Sequence, residues 1–321
     1  MKNETFMSLL KDTINKLENG TILNHGRKLS YSTIKSYKGV YNTMKSYKFN
    51  FDLEVLDLNN VTNRKDRIKV KRKLQQNVNK YLNMLLEDCK HPNTRKSHLK
   101  TIRTTLKKAE EEYGYWFPKL QSIRELQTEV IAMSPEQVEF LHTNKPNQSG
   151  LLESWYYTRL MLYSCMRVSD LVKFDCTVEG DAVTIITKKG LGSISTFYLP
   201  LDVKEYVAEK KEFGYTTKNF REKLKTLLKS YTEFQKKKVV YAYDHEGHPK
   251  SEEHFLYDLF TPHKLRSSGI TYHLSRGLSE LNVRHISGHA QGSTAFYRYV
   301  SYSDKESINQ QKENVNMLIN K

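Results

Sequence analysis

The spacing of apolar residues constrains the fold of this chain more than any other feature of its sequence. Through the first third, apolar side chains recur every three or four residues, which is the period of an amphipathic α-helix. The first such segment stops at Asn19-Gly20, a pair typical of a helix C-terminus, and its apolar residues are Phe6, Leu9, Leu10, Ile14 and Leu17. We therefore expect this part of the chain to be helical.

Three more segments in the first third have the same period. Their apolar residues are Ile34, Tyr37, Tyr41 and Met44 in the second, Leu74, Val78, Leu82, Leu85 and Cys89 in the third, and Leu99, Ile102, Leu106, Ala109 and Tyr113 in the fourth. Ser32 is placed to cap the start of the second helix. Four amphipathic helices joined by polar loops predict an all-α bundle over residues 1–117, followed by a linker over 118–132.

A second domain is expected over residues 133–321. It opens on Ser134-Pro135-Glu136-Gln137, which supplies an N-cap, a proline at the first helical position and a glutamine at the capping-box position. Farther on, two short segments around "KKGLGS" alternate with period two and predict a β-hairpin; they are Val183 to Ile186 and Ile194 to Tyr198. The expected fold class is therefore mainly α, with a small antiparallel β-sheet in an α+β second domain, plus the N-terminal all-α bundle.

The charge of the chain points to a polyanionic partner. Lys and Arg number 52 against 36 acidic residues, a formal net charge of +16, and neutralising phosphates releases condensed counterions. Basic side chains fall on the outward faces of the third and fourth helices, where they would contact DNA or, alternatively, only face solvent. The residues predicted to contact DNA are Arg64, Lys71, Arg72, Arg95, Lys96, Lys100 and Arg103.

Several other classes of site have little support in the sequence. It holds no glycine-rich nucleotide loop, and its three cysteines form no CxxC pair, so zinc binding through sulfur is not expected. His245 and His248 in "DHEGHPK" resemble half of a metal site, but a polar turn explains them better. Without an apolar run near membrane-spanning length or a signal peptide, we expect a soluble, cytoplasmic protein with no membrane partner.

A series of basic residues followed by tyrosines is the strongest functional signal. Each motif is weak alone, but they occur in one order along the second domain. They are R-x-x-D-L at Arg167, a hairpin lysine at Lys188 or Lys189, H-x-x-R at His263 and Arg266, and "GHAQGSTAFYRYV", with His289, Tyr297 and Tyr299.

In this order the motifs resemble those of the tyrosine recombinase, or phage-type integrase, family, and the resemblance covers nearly the whole chain. The residues that match the family's catalytic set are Arg167, Lys188, His263, Arg266, His289 and Tyr297. Tyr297 is preferred to Tyr299 because "STAFYRYV" aligns with the family's "STTQIYTHV" through the final valine. The chain departs from the pattern in four ways: Ser267 replaces a histidine, "SGH" replaces "LGH", one residue is missing before Tyr297, and the hairpin is long, which leaves Lys189 possible.

The resemblance implies a catalytic second domain that cleaves and rejoins double-stranded DNA through a 3′-phosphotyrosyl intermediate. It makes Lys188 the general acid, His263 the candidate base and His289 a hydrogen-bond donor to the scissile phosphate. It implies no cofactor and no metal. It also implies inverted-repeat core sites, a tetramer on paired sites and exchange of the C-terminal tail between protomers. Because the chain starts almost at the bundle, we expect a simple two-domain recombinase.

The resemblance leaves the biological role open. Integration or excision of a mobile element, inversion of a DNA segment and resolution of chromosome dimers all use this chemistry. A type IB-like topoisomerase and an inactive DNA-binding relative are the alternative functions. Whether Tyr297 enters its own active site or that of a neighbouring protomer is also open.

Overall fold

The computed structural model describes residues 5–21, 28–53, 56–57, 63–171, 176–180, 182–186, 194–210 and 214–303. They divide into two compact units: residues 1–128 with 241–250, and residues 129–240 with 251–321. The division along the chain, between Thr128 and Glu129, falls within the predicted linker, residues 118–132. No helix in the described ranges combines the length and the hydropathy that a membrane span needs.

The first unit is a four-helix bundle. Its elements are α1 (Phe6–Asn19), α2 (Tyr31–Ser46), β1 (Leu56–Asp57), α3 (Arg64–Glu87), α4 (Pro92–Tyr113) and β2 (Tyr115–Trp116), with β1 and β2 paired antiparallel. The predicted apolar stripes face the core, in which Leu10, Met44, Val78 and Ile102 are fully buried. Cys89, predicted to belong to the third stripe, is instead exposed, because α3 ends at Glu87. Gly20 ends α1 in the left-handed conformation, at φ 72°. Helix α2 is capped by Ser30 rather than by the predicted Ser32, because the helix begins at Tyr31, two residues earlier than a cap at Ser32 would allow.

The second unit is helical around a small sheet. Its elements are α5 (Pro135–Thr143), α6 (Ser149–Ser164), α7 (Val168–Leu171), β3 (Cys176–Glu179), β4 (Ala182–Ile186), β5 (Ile194–Tyr198), α8 (Leu201–Glu209), α9 (Thr217–Lys229), a 3₁₀ turn (Thr232–Gln235), β6 (Lys237–Tyr243), β7 (Pro249–Phe255), α10 (Leu256–Leu259), α11 (Pro262–Ser275) and α12 (Glu280–Ser287). Residues 241–250, which include the ends of β6 and β7 next to their connecting turn, belong to the first unit. A further helix, α13, is described over residues 294–303. The capping box predicted at Ser134 and Gln137 is present at the start of α5.

The sheet of the second unit is antiparallel in the order β3-β4-β5, and β6 pairs with β7 in a separate two-stranded sheet. Val183 and Ile185 of β4 and Phe197 of β5 face the core. Ser195 of β5 is buried as well, and its hydroxyl donates to the carbonyls of His285, at 3.2 Å, and Ile286. The strand is thereby attached to the C-terminal end of α12.

Candidate active site

The end of helix α6 holds the first predicted catalytic arginine. The helix stops at Cys165, which adopts the left-handed conformation at φ 50°, and Arg167 follows immediately before α7. Arg167 Nη1 lies 3.8 Å from the carboxylate of Asp170, which is buried. At that distance the two are an ion pair without a hydrogen bond, and no acceptor in the described part of the chain reaches this buried nitrogen. A buried guanidinium donor in this state is suited to binding an anion.

The second predicted arginine, Arg266, is buried in α11 with 3% of its surface exposed. Its Nη1 donates to the carbonyl of Cys165 at 2.5 Å, so the turn that carries Arg167 also holds Arg266. Burial, together with the charge of Arg167, lowers the pKa of Arg266 to about 10. The side chain therefore remains protonated at neutral pH. His263, its partner in the H-x-x-R motif, is exposed in the first turn of the same helix.

The conformation of Gly288 directs His289 toward Arg266. Gly288 ends α12 at φ 63°, a backbone conformation that glycine adopts without strain. The Nη2 of Arg266 then lies 3.2 Å from Nε2 and 3.3 Å from Nδ1 of His289. Burial first, and then the charges of Arg266, Arg167 and Arg284, lower the pKa of His289 to about 3. The imidazole is therefore neutral at physiological pH.

These side chains meet at a cavity of about 740 Å³ in the second unit. Its lining includes Arg167, Arg284 and His289, and among the described lining residues Glu280 is the one acidic side chain. Two guanidinium groups at the wall, with Arg266 buried behind His289, give the cavity a positive charge. The arrangement is suited to a phosphate group, because guanidinium groups donate paired hydrogen bonds to its oxygens.

The predicted nucleophile, Tyr297, lies beside this cluster. It is on α13 with 48% of its surface exposed, and the guanidinium carbon of Arg284 lies 5.0 Å from its ring centroid. The structure gives it no hydrogen bond or ring contact with Arg167, Arg266 or His289 among the described residues. The ring of Tyr299 is instead 6.0 Å from that of His289, between centroids.

Of the six predicted catalytic residues, the structure thus brings Arg167, Arg266 and His289 together. His263 shares a helix with Arg266, and Tyr297 is linked to the cavity through Arg284. Lys188 and the alternative Lys189 lie outside the described residues, as does the tail beyond residue 303.

Sequence reasoning missed two side chains of the site, Arg284 and Ser287. The hydroxyl of Ser287 lies 2.7 Å from Nδ1 of His289, and the residue as a whole is buried, with 2% of its surface exposed. Its signal in the sequence is the departure of "SGH" from "LGH". Arg284 precedes Gly288 by four residues and pairs with Glu280 one turn earlier, at 3.2 Å, a spacing that is common on any helix.

The residues predicted to contact DNA fall into two groups within the first unit. Arg64, Lys71, Arg72 and Lys100 are exposed. The other three bind within the protein: Arg103 donates to the carbonyl of Leu120 at 2.5 Å, Arg95 donates to that of His245 at 3.0 Å, and Lys96 pairs with Glu125. The first group is therefore better placed to reach phosphates.

The polar turn predicted around His245 and His248 is present at the tip of the β6-β7 hairpin. The carboxylate of Asp244 accepts hydrogen bonds from the backbone N–H groups of Gly247, at 2.7 Å, and His248, at 2.8 Å. Candidate ligand atoms of Asp244, Glu246 and His248 lie within 4.8 Å of one another. The Asp244 carboxylate has a structural role in closing the turn.

The chain is similar in fold to solved structures of integrases and recombinases. The chain is similar to the Tn1549 transposon integrase in complex with circular intermediate DNA, with a TM-score of 0.60 and 13% identity over 92% of this chain and 95% of that one. It is similar to the XerH site-specific recombinase bound to palindromic difH substrate (TM-score 0.56, 13% identity, 95% and 84%). A lambda integrase tetramer bound to a Holliday junction gives a TM-score of 0.57 at 13% identity, over 91% and 79%.

No protein-family model and no curated protein matches the sequence. The identities to the solved structures are low, so the likeness concerns the fold. The chain has the fold of the tyrosine recombinases and integrases, as its motifs predict, with mainly helical units and a small antiparallel sheet.

Proposed function

We propose that this protein is a site-specific tyrosine recombinase that cleaves and rejoins DNA through a phosphotyrosyl intermediate on Tyr297. One observation carries the proposal: on a recombinase fold, Arg167, Arg266 and His289 meet at a positively charged cavity. These are the residues that the family motifs select. Their convergence from three separate parts of the chain is unexpected if the motif matches arose by chance.

The residue types fit phosphoryl transfer. Tyr297 Oη would attack the scissile phosphorus, and the bond from phosphorus to the 5′ oxygen would break. The phosphodiester is then retained as a 3′-phosphotyrosyl bond, and attack by a 5′ hydroxyl reverses the step. Arg167 and Arg266 would neutralise the charge that develops on the non-bridging oxygens. By resemblance, Lys188 would protonate the leaving 5′ oxygen and His263 would act as base.

The DNA partner is supported by charge and by the neighbours. The chain carries a net charge of +16, and its structural neighbours were solved on circular intermediate DNA, difH and a Holliday junction. We assign DNA binding to the first unit, through Arg64, Lys71, Arg72 and Lys100. Cleavage and rejoining of the strands are assigned to the second unit. Double-stranded DNA with inverted-repeat sites, a homo-oligomer on paired sites and a location in the cytoplasm, on the nucleoid, complete the proposal.

A nicked suicide substrate tests this function. Duplexes are chosen by selecting tight binders from random DNA and by testing any inverted repeats found beside the gene. A nick beside the cleavage position lets the short fragment that bears the 5′ hydroxyl diffuse away. The protein is expected to accumulate as a covalent adduct that survives denaturing electrophoresis. Peptide mapping of the adduct is expected to place the nucleotide on Tyr297.

The matched variants are Tyr297→Phe and Tyr299→Phe, which remove one hydroxyl each from the same helix. We expect the first to abolish the adduct and the second to retain it. An adduct on Tyr299 would transfer the nucleophile to the side chain that contacts His289. If neither wild type nor either variant forms an adduct on DNA that it binds tightly, the proposed activity is wrong.

A further inference from the structure

The last residue of α12 is a serine whose hydroxyl is buried against the active-site histidine. Ser287 Oγ lies 2.7 Å from Nδ1 of His289, while its distance to the carbonyl oxygen of Arg284 is 3.4 Å. The turn at Gly288 makes this contact possible, because its positive φ folds His289 back toward the end of the helix. The family motif has a leucine at this position, so the contact belongs to this chain.

The neighbours of His289 determine which of its two ring nitrogens carries the proton. A neutral imidazole has one N–H and one nitrogen lone pair, and a guanidinium nitrogen can only donate. Arg266 Nη2 therefore requires an unprotonated ring nitrogen, and it lies at nearly equal distances from the two, 3.2 Å from Nε2 and 3.3 Å from Nδ1. Ser287 Oγ occupies Nδ1 at 2.7 Å, which leaves Nε2 as the acceptor for Arg266. With Nε2 as acceptor, the proton lies on Nδ1 and is donated to Ser287 Oγ.

A bound phosphate reverses this requirement. The phosphate oxygens would take the hydrogen bonds of Arg266, and His289 could then assist only as a donor from Nε2. The proton must then be on Nε2, and Nδ1 must accept. A serine hydroxyl satisfies Nδ1 in both states, because it can accept a hydrogen bond or donate one. A leucine at this position could do neither.

We propose that Ser287 is a positioning residue that lets His289 exchange tautomers, so that the imidazole accepts from Arg266 in the free enzyme and donates to the scissile phosphate in the complex. In the exchange one proton leaves Nδ1 for water and one arrives from water at Nε2, so the net charge is unchanged. Water reaches the ring because His289 lines the open cavity. The second half of this inference rests on the proposed function.

Nitrogen-15 NMR of the histidine side chains tests the tautomers directly. Full-length protein is labelled at histidine, and the His289 signals are assigned by their loss in His289→Asn. In free wild-type protein we expect the proton on Nδ1. In the Tyr297→Phe protein bound to its cognate duplex, which would not cleave, we expect it on Nε2. The same tautomer in both states, or a proton on Nε2 in the free protein, would overturn the inference.

Substitution of Ser287 supplies the second readout. Ser287→Ala removes the hydroxyl that can both accept from and donate to Nδ1, and we expect single-turnover adduct formation to slow by about 10-fold to 100-fold. DNA affinity is expected to stay within about 3-fold, since the phosphate contacts remain. Ser287→Thr, which keeps the hydroxyl, is expected to retain the tautomer exchange and most of the rate. A wild-type rate in Ser287→Ala would contradict the assignment.

The two proposals fail in different ways. If the tautomer exchange is present in wild type and absent in Ser287→Ala while no adduct forms on Tyr297, the role of Ser287 stands and the proposed chemistry does not. If the adduct forms on Tyr297 at the same rate with serine or alanine at position 287, the chemistry stands and the role of Ser287 does not.

Discussion

At the scale of single residues, Arg284 connects the cavity to the predicted nucleophile. Its guanidinium carbon lies 4.7 Å from the ring centroid of Phe296 and 5.0 Å from that of Tyr297, while Glu280 pairs with it at 3.2 Å. A hydrogen bond with Tyr297 raises the pKa of Arg284. The same side chain lines the cavity and contributes to the low pKa of His289. It therefore acts on both Tyr297 and the cavity.

We predict that Arg284→Ala slows formation of the Tyr297 adduct by about 10-fold to 100-fold, because the cavity loses a positive charge and Tyr297 loses its contact. Arg284→Lys keeps the charge without the planar stacking group, and an intermediate rate is expected. Single-turnover cleavage measures the effect. Arg276→Ala is the matched control, since Arg276 also packs on a tyrosine ring and pairs with a glutamate, outside the cavity lining. Equal losses in both variants would argue against a specific role.

A second histidine of the same unit, His142, lies outside the described cavity lining and makes the stability of the protein depend on pH. Its ring stacks on Tyr163 at 4.1 Å, and neither ring nitrogen has a hydrogen-bond partner in the described part of the chain. Burial, followed by the charges of Arg159 and His273, lowers its pKa to about 3, against an opposing effect of Asp202. The folded state therefore holds this imidazole neutral.

The sign of the pH dependence follows from that depressed pKa. The unfolded chain binds a proton at His142 below pH 6.5, its ordinary pKa, and the folded chain does not until about pH 3. Stability is therefore complete above pH 6.5 and falls as pH drops toward 3. We predict that this histidine alone lowers the free energy of unfolding by about 2 kcal/mol between pH 7 and pH 5.

Denaturant titrations at the two pH values measure this change. His142→Phe keeps the stacked ring and removes the titrating group, so the difference between pH 7 and pH 5 is expected to shrink by about the same amount. The pKa values of His273 and His289 are also lowered, so part of the pH dependence of the free energy of unfolding is expected to remain in His142→Phe. An unchanged difference in His142→Phe would show that this site does not carry the effect.

At the scale of elements, the crossing of α6 and α11 builds the arginine cluster. A Cβ at Gly269 of α11 would lie 2.3 Å from the carbonyl oxygen of Leu162 and 3.0 Å from the sulfur of Cys165. Only glycine permits this approach without a shift of backbone. The same approach brings Arg266 to the carbonyl of Cys165 and near Arg167.

We predict that Gly269→Ala destabilises the second unit by about 1–3 kcal/mol, because the added methyl group separates two packed helices. Adduct formation is also expected to fall, since Arg266 would move away from Cys165. Thermal unfolding and single-turnover cleavage measure the two effects. Gly150→Ala in α6, where a Cβ would meet no atom within 4 Å, is the control and should leave both unchanged or stabilise slightly. Comparable stability in the two variants would contradict the packing argument.

The elements also show where sequence patterns are informative. Each helix of the first unit has a one-sided apolar stripe, and Ser134 and Gln137 mark a helix start through local hydrogen bonds, so these elements are predictable. The β6-β7 hairpin was not predicted, because Val240 is the one buried residue among its two strands. Backbone pairing and cross-strand contacts such as Lys237 with Glu253 at 2.7 Å hold it, and these leave no alternating apolar pattern.

The site was predictable in part for the same reason. Arg167, Arg266 and His289 stand in motifs whose spacing is visible in the sequence. The roles of Arg284 and Ser287 depend on contacts made only after α11, α12 and α13 pack around the cavity. Likewise, the sequence places Arg72 and Arg103 equally on basic helix faces, and the carbonyl that Arg103 reaches becomes visible only in the folded bundle.

At the scale of the whole molecule, the net charge of +16 predicts DNA binding that weakens steeply with salt. The slope of log affinity against log salt counts the phosphates that are neutralised, at about 0.9 per contact. Basic residues that bind within the protein do not contribute to this count. The structure therefore distinguishes exposed basic side chains, which can contact phosphates, from those that bind within the protein, although both count equally in the net charge.

Arg72 and Arg103 form a matched pair for this prediction, one arginine on α3 and one on α4. Arg72→Ala is expected to make the salt slope shallower by up to about 0.9, with little effect on stability, because the side chain is exposed. Arg103→Ala is expected to leave the slope unchanged and to destabilise the bundle by about 1 kcal/mol, because the carbonyl of Leu120 loses its donor. Fluorescence anisotropy at several salt concentrations and thermal unfolding measure the two quantities. If Arg103 changed the slope and Arg72 did not, the phosphate contacts would have to be reassigned from the exposed group to Arg95, Lys96 and Arg103.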